Sequence, residues 1–324
     1  MTLEKIGFIA IGRNEGERFK RCLRSLKQIS TRIVYVDSGS ADDSVEFALQ
    51  NGANVVELPG EPFTAARARN AGFARFGEEW PDAELVMFID GDCELIGGFA
   101  EAAAAALREN PDIGVVTGRC RERHPDATIY NRLCDMEWDG PVGDIDTCGG
   151  IFMTRAALVS EIGGFNASII AGEDDEFCVR VRTSGARVHR IARDMCLHDA
   201  NMRRFGQWWL RSVRAGHAYA QVGEMHPDYC LGARRRAWGW GLVLPAAILG
   251  LAPLTHGWSA LLLILYPLSF IRTGHQLIKK GASPPHARLH AGFLTLAKFP
   301  NLIGLLNYRR KRLMGLPLKI YEYK

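Results

Sequence analysis

Asp90-Gly91-Asp92 stands directly after the apolar run Leu85–Ile89. Two carboxylates one residue apart at the end of a buried strand can share a divalent cation and a phosphorylated ligand. The glycine between them lets the backbone turn sharply and come close to what is bound. A metal held there would neutralise charge that develops on a phosphorylated leaving group. A second acidic set, Glu173-Asp174-Asp175-Glu176, opens a helical pattern. Neighbouring carboxylates repel one another, so at least one should have its pKa raised toward useful basicity for a general base. His198, in Cys196-Leu197-His198-Asp199, follows a short apolar strand and offers an imidazole as a further metal ligand. Trp208-Trp209, Arg211 and Arg214 share a later helix. Indole faces suit the C–H surfaces of sugar rings, and a guanidinium suits a diphosphate.

The elements that must position these residues are short and alternate in kind. Ile6–Ile11, Arg32–Val36, Asn54–Leu58, Leu85–Ile89 and Gly114–Gly118 read as buried strands. Helical patterns at Glu15–Gln28, Asp42–Asn51, Thr64–Phe76 and Phe99–Arg108 lie between them. This alternation predicts an α/β fold, a mostly parallel sheet flanked by helices on both faces. Ligands of such sheets bind at the carboxyl ends of the strands, where Asp37 and Asp90 fall. Arg121–Asp146 reads as polar and irregular, with Asp135, Glu137, Trp138 and Asp139 as candidates for lining an acceptor site. A strand at Cys148–Met153, helices at Glu173–Ser184 and Phe205–Val222, and a short strand at Arg187–Ile191 complete the pattern.

The last third differs in character. From Asn201 onward there are 18 Lys+Arg against 3 Asp+Glu, which leaves 22 and 33 for residues 1–200, from chain totals of 40 and 36. An acidic first part suits a metal-binding enzyme, and a basic, apolar second part suits an anionic membrane surface. Long Leu-rich runs among the basic residues argue against nucleic acid as the partner. Ala237–Ile271 holds no charged residue over 35 positions and is broken by Pro253, Thr255, His256 and Gly257. Two arms of about 16 residues are short for full spans, which suits a tight or re-entrant hairpin entering from one side, or arms lying partly in the interface. A second apolar stretch, Leu289–Tyr308, runs into Arg309-Arg310-Lys311-Arg312. Basic flanks place those ends in the cytoplasm. The expected boundary lies between a catalytic domain at 1–217 and a membrane-associated helical region at 218–324. The eight cysteines show no zinc spacing, and Ile6–Ile11 is too short for a signal peptide.

Taken in order, these motifs resemble the family 2 glycosyltransferases. The matching residues are Arg13-Asn14-Glu15, Val36-Asp37-Ser38-Gly39-Ser40-Ala41-Asp42, Ala68-Arg69-Asn70-Ala71-Gly72, Asp90-Gly91-Asp92, Gly163-Gly164-Phe165, and Gly172-Glu173-Asp174-Asp175-Glu176-Phe177 with Arg180, Arg182 and Gly185. Gln207-Trp208-Trp209 with Arg211 only approximates the family's QxxRW region, since Arg and Trp come in another order.

The resemblance implies the fold called GT-A, with a Rossmann-like nucleotide-binding half. It implies inverting transfer of a sugar from a nucleotide-sugar, with Mg²⁺ or Mn²⁺ as cofactor. Asp174 would be the catalytic base, in a register that Asp175-Glu176 leaves open. Arg13, Glu15, Asp37, Gly39, Arg69 and Asp90 would contact the nucleotide. Asp90, Asp92 and His198 would hold the metal, while Trp208, Trp209 and Arg211 would face acceptor or diphosphate. The acceptor would be a saccharide or a polyprenyl-linked molecule at the cytoplasmic face of the inner membrane, with membrane lipids as partners. The rivals are a nucleotidylyltransferase, whose Gly-rich loop after the first strand is missing here, and a non-catalytic membrane scaffold.

Overall fold

The computed structural model describes residues 4–318. The chain divides into two compact units, Met1–Asn201 and Met202–Lys324. In the first unit the chain runs through β1 (Ile6–Gly12), α1 (Glu17–Lys27), β2 (Ile33–Asp37), α2 (Ser44–Gln50), β3 (Asn54–Glu57), α3 (Ala65–Glu79), β4 (Leu85–Asp90) and β5 (Cys93–Leu95). It continues through α4 (Phe99–Glu109), β6 (Ile113–Glu122), α5 (Ile129–Trp138), β7 (Gly143–Asp144), β8 (Phe152–Arg155), α6 (Ala156–Glu161), α7 (Glu173–Thr183) and β9 (Arg187–His198).

The strands form one sheet in the order β3-β2-β1-β4-β8-β6-β9-β5, with β7 on the far side of β9. β1, β2, β3 and β4 pair in parallel, as do β6 and β9. Ile6, Phe8, Ile9 and Ala10 are fully buried, the mark of a strand covered on both faces. One apolar layer joins Phe19, Cys22 and Leu23 of α1 to Phe99 and Ala103 of α4. The other joins Ala68 and Phe76 of α3 to Phe177 and Val181 of α7. Gly72 is where α3 comes closest to the sheet, since a Cβ there would overlap Ile9 and Val36.

The structure departs from the expected pattern in three places. β8 lies antiparallel between β4 and β6, a direction that Phe-Met-Thr-Arg does not itself specify. β6 and β9 run on to Glu122 and His198 through register shifts, because their charged outer halves are still paired. The segment expected to be irregular contains α5, capped by the Thr128 hydroxyl, which accepts from the Asn131 amide at 3.0 Å.

The second unit is helical: α8 (Phe205–Met225), α9 (Leu231–Trp238), α10 (Leu244–Leu251), α11 (Leu265–Lys279), α12 (Pro284–Leu296) and α13 (Lys298–Leu313). The division precedes the boundary expected at 217, because α8 packs backbone-to-backbone on α13. A Cβ on Gly216 would overlap Asn301, and one on Gly304 would overlap the Val213 carbonyl. The expected break falls after α10, where Gly257 takes φ +87°. Trp258–Lys279 and Pro284–Leu313 are long and apolar enough to cross a membrane by length and composition. Leu249, Leu254 and Trp258 are 75%, 78% and 72% exposed, an apolar surface compatible with membrane association.

Candidate active site

β1, β2 and β4 end side by side, with Gly12 opposite Asp37 and Ile11 opposite Asp90. At the crossing, the Gly91 amide donates to the Ile11 carbonyl at 2.8 Å. A Cβ on Gly91 would lie only 3.1 Å from that carbonyl oxygen, so the turn favours glycine. Asp92 is buried, and its Oδ2 lies 3.2 Å from His198 Nε2. Pairing of β5 with β9 sets Cys93 opposite His198 and so brings the two together. The Cys93 thiol donates to Asp92 Oδ1 at 3.5 Å, and burial pushes that thiol up, which keeps its proton in place. The Trp138 ring stands edge-on to His198, 4.6 Å between centroids. Asp92, Cys93 and His198 offer donor atoms within 4.8 Å of one another. A carboxylate and an imidazole beside the half-exposed Asp90 make an oxygen-and-nitrogen donor set that fits Mg²⁺ or Mn²⁺.

Arg69, expected at the nucleotide, is buried and turned inward instead. Its Nη2 donates to Asp90 Oδ1 at 2.8 Å and its Nη1 to Glu173 Oε1 at 2.6 Å. The guanidinium lies 5.5 Å from the Phe165 ring centre. Gly150 leaves room for it, since a Cβ there would overlap Nη2. Asn70 beside it bonds both backbone groups of Phe165, at 2.7 and 2.8 Å. Arg180 grips Glu176 and donates to the Ile162 and Gly164 carbonyls. The motif residues on α3, α7 and the Gly163-Gly164-Phe165 turn thus lock one another in place. Arg69→Ala should leave the buried Glu173 carboxylate uncompensated, and Asp90 without its partner, and destabilise the unit by about 3–5 kcal/mol. Urea unfolding measures this, and a loss below about 1 kcal/mol would contradict the buried bridge.

The four acids at the head of α7 have separate fates. Glu173 and Glu176 are buried in ion pairs with Arg69 and Arg180. Asp174 forms no ion pair among the described residues. Burial, then the charges of Glu173 and Asp175, push its carboxyl up to about 8. Its Oδ1 accepts from the Asp175 amide at 2.9 Å. Gly149 sits beside Asp174 and Gly150 beside Asp90: added Cβ atoms would lie 3.9 Å from Asp174 Oδ2 and 3.4 Å from Asp90 Oδ2. The base candidate and the Asp90 carboxylate therefore flank the same Gly-Gly turn.

On the β1–β2 side, Asp37 is buried and closes its own turn. Its carboxylate accepts from the Tyr35 hydroxyl at 2.9 Å and from the amides of Gly39 and Ser40 at 2.9 and 2.7 Å. A short acid at a strand end closes its own turn in this way. Asn14 accepts from the Ala41 amide and Asp42 from the Gly16 amide, which ties the two loops together. Glu15 is half-buried against Gly12 and Gly91 and pairs with Arg18 at 2.8 Å. Arg13 is exposed and lies 5.2 Å from the ring centre of Phe63. Gly39, at φ +79°, abuts the same ring, where a Cβ would come within 2.9 Å.

Comparison with known proteins agrees with this geometry. The description Glycosyl transferase family 2 fits residues 9–153. The matched stretch lies within the first unit. The pre-mycofactocin glycosyltransferase of Mycobacterium tuberculosis is 25% identical over 67% of this chain and 47% of its own length. An uncharacterized glycosyltransferase of Rickettsia felis is 33% identical over 29% of this chain and 30% of its own. The chain spans about half the length, or less, of the curated relatives it matches. Among solved structures, a mannosyltransferase from Pyrobaculum calidifontis, in complex with GDP-Man and Mn²⁺, aligns with TM-score 0.61. That alignment has 18% identity and covers 92% of this chain and 87% of that one. The glucosyl-3-phosphoglycerate synthase of M. tuberculosis, in complex with phosphoglyceric acid, aligns with TM-score 0.50 and 17% identity over 68% and 79% of the chains. Both have the GT-A fold seen here.

The first unit also uses residues that motif reasoning passed over. Glu122, at the end of β6, is buried and accepts from the His124 and Ala200 amides and the Asn131 side chain. It thereby ties α5 and the chain after His198 to the sheet. Asp135 accepts from the Glu122 amide at 3.1 Å, so it supports this corner. Phe63 follows Pro62 in a segment with no motif, and its aromatic ring was the one available signal. Trp208, Trp209 and Arg211 lie on α8 in the second unit. Trp208 is buried, edge-on to Phe293 at 4.8 Å, so its ring is committed to packing. Trp209 and Arg211 keep partial exposure.

Proposed function

We propose that the protein transfers a hexose from a nucleotide-sugar, with inversion, to a saccharide or polyprenyl-linked acceptor at a membrane surface. One observation supports this most: a single guanidinium, Arg69, fixes Asp90 on one side and Glu173 on the other. That clamp ties the head of α7, where Asp174 sits, to the strand end that carries Asp90. In this reading Asp174 takes the proton of the acceptor hydroxyl as that oxygen attacks the anomeric carbon. Asp92 and His198, with Asp90 beside them, would hold a divalent cation. When bound, that cation would neutralise charge on the departing nucleoside diphosphate. Arg13, Phe63 and Gly39 would form the wall on the nucleobase side. An aromatic face there offers stacking to a flat base. The Mn²⁺ and GDP-Man of the structural neighbour agree with a metal-dependent nucleotide-sugar site.

The second unit would bind the inner membrane from the cytoplasmic side. Arg234–Arg236 and Arg309–Arg312 would meet anionic headgroups, each basic residue contributing about 1 kcal/mol. The exposed leucines and Trp258 would contribute more, at roughly 25 cal/mol per Å² of apolar surface removed from water. Molar salt should therefore leave the protein in the pellet of a cell lysate, and detergent should release it. Full-length protein in the detergent-free supernatant would contradict this placement while leaving the chemistry standing. The acceptor is tested by incubating labelled nucleotide-sugars with polyprenyl phosphate and with soluble saccharides. A labelled lipid product supports the membrane acceptor, and label only in soluble glycan rejects it.

A further inference from the structure

A hollow lies in the first unit beside β6 and β9. It measures about 470 Å³ and is walled by Arg119, Asp139, Gly140, Arg190, Arg193 and Asp194. A bulge in β9 opens it. While β6 advances from Thr117 to Arg119, β9 advances from Arg190 to Asp194, so extra residues of β9 loop out of the ladder. Gly118 makes this possible, because a Cβ there would meet the Arg193 carbonyl at 2.7 Å and the Phe99 ring at 2.6 Å. Gly140 makes room for the Arg190 guanidinium in the same way, with Nη1 2.7 Å from where a Cβ would stand.

The walls carry more cationic donors than the protein itself satisfies. Arg119 lies 3.6 Å from Asp135 and 3.4 Å from Asp139, and Arg121 takes Asp194 at 2.9 Å. Arg190 and Arg193 form no ion pair among the described residues. Arg190 gives one bond, Nη1 to the Trp138 carbonyl at 3.1 Å. The Nε atoms of Arg119 and Arg190 are buried with no acceptor. A buried donor left unpaired costs about 1–3 kcal/mol, and more on a charged group. Burial also drives the Arg190 pKa down.

We propose that this hollow binds a phosphorylated saccharide, with its phosphate on the Arg190 and Arg193 guanidinium groups. Arginine forks match phosphate oxygens in pairs. The volume exceeds what one phosphate fills and lies within the usual range for small-ligand pockets, so a sugar-sized body fits behind the anionic group. This site does not depend on the transfer chemistry proposed above, and its binding can be measured without turnover.

The test uses the full chain in detergent, with EDTA present to silence the metal-dependent cleft. Glucose 1-phosphate, glucose and inorganic phosphate are titrated by calorimetry. Glucose 1-phosphate should bind more tightly than inorganic phosphate, and glucose should not bind. Arg193→Ala and Arg190→Gln should each weaken glucose 1-phosphate at least tenfold, while Asp92→Asn leaves it unchanged. Arg193 is exposed, so its variant decides the matter even if Arg190→Gln folds poorly. No binding by the unmodified protein, equal binding by Arg193→Ala, or equal loss in Asp92→Asn would each overturn the proposal.

Discussion

Asp174→Asn should lower kcat on the order of 10³-fold while leaving the affinity for the nucleotide almost untouched. The amide keeps the shape of the side chain and its place at the head of α7 but cannot accept the acceptor's proton. Asp175→Asn should cost far less, and Glu173→Gln or Glu176→Gln should show first as lost stability, because those acids hold arginines. In the unmodified protein kcat/KM should climb with pH, reach half its plateau near pH 8 and level off above that, as Asp174 loses its proton. The same shift acts on folding. A carboxyl raised from the ordinary range to about 8 binds a proton in the folded state that the unfolded chain has already released. Stability from this group is therefore greatest at low pH and falls as pH rises between about 4 and 8. Asp174→Asn should unfold at a higher temperature than the unmodified protein at pH 8.5, and by a smaller margin at pH 5. A dead variant with no such gain would mean that the acid is not desolvated, and full activity would remove it from the chemistry.

Asp92→Asn should be comparably severe for a different reason. It replaces a buried charged ligand whose neighbours, His198 and Cys93, are arranged around it. Loss of a charged metal ligand should cost several kcal/mol of transition-state stabilisation, on the order of 10²–10⁴ in rate. The loss should come with a higher Mn²⁺ concentration at half-maximal rate, which a purely structural defect would not produce. His198→Ala should move the same midpoint in the same direction by a smaller factor. Unchanged metal dependence in Asp92→Asn would move the metal elsewhere.

The parallel half of the sheet was legible because its strands are short apolar runs closed by Asp37 and Asp90. The alternation was strong enough to place both acids at the carboxyl edge. Which acids face a ligand was not legible. Asp37 and Asp90 look alike in sequence, yet Asp37 spends both oxygens on Tyr35 and its own turn, whereas Asp90 stays half-open. Arg69 offered no sign that its partner would be Glu173, since only the fold brings together residues 104 positions apart. α5 was hidden because its polar face reads as loop, and its Thr128 cap is a single-residue signal. β9 looked short because Arg187–Ile191 is followed by the bulge, and charged residues there mask the pairing that carries His198 to Asp92. The α8–α13 contact was not legible, because it runs through Gly216 and Gly304, residues that signal nothing in a hydrophobic pattern.

The central claim is that the Asp90–Asp92, His198 and Asp174 cluster uses a nucleotide-sugar with a divalent metal. The most direct test is nucleoside diphosphate release from a panel of UDP-, GDP- and TDP-sugars. The protein is incubated with membrane-derived acceptor, with Mn²⁺ or with EDTA. At least one donor should yield diphosphate in Mn²⁺, none in EDTA, and none above background with Asp174→Asn, although that variant still binds the same donor. Release that continues undiminished in EDTA, or no binding of any donor in the presence of Mn²⁺, would contradict the account.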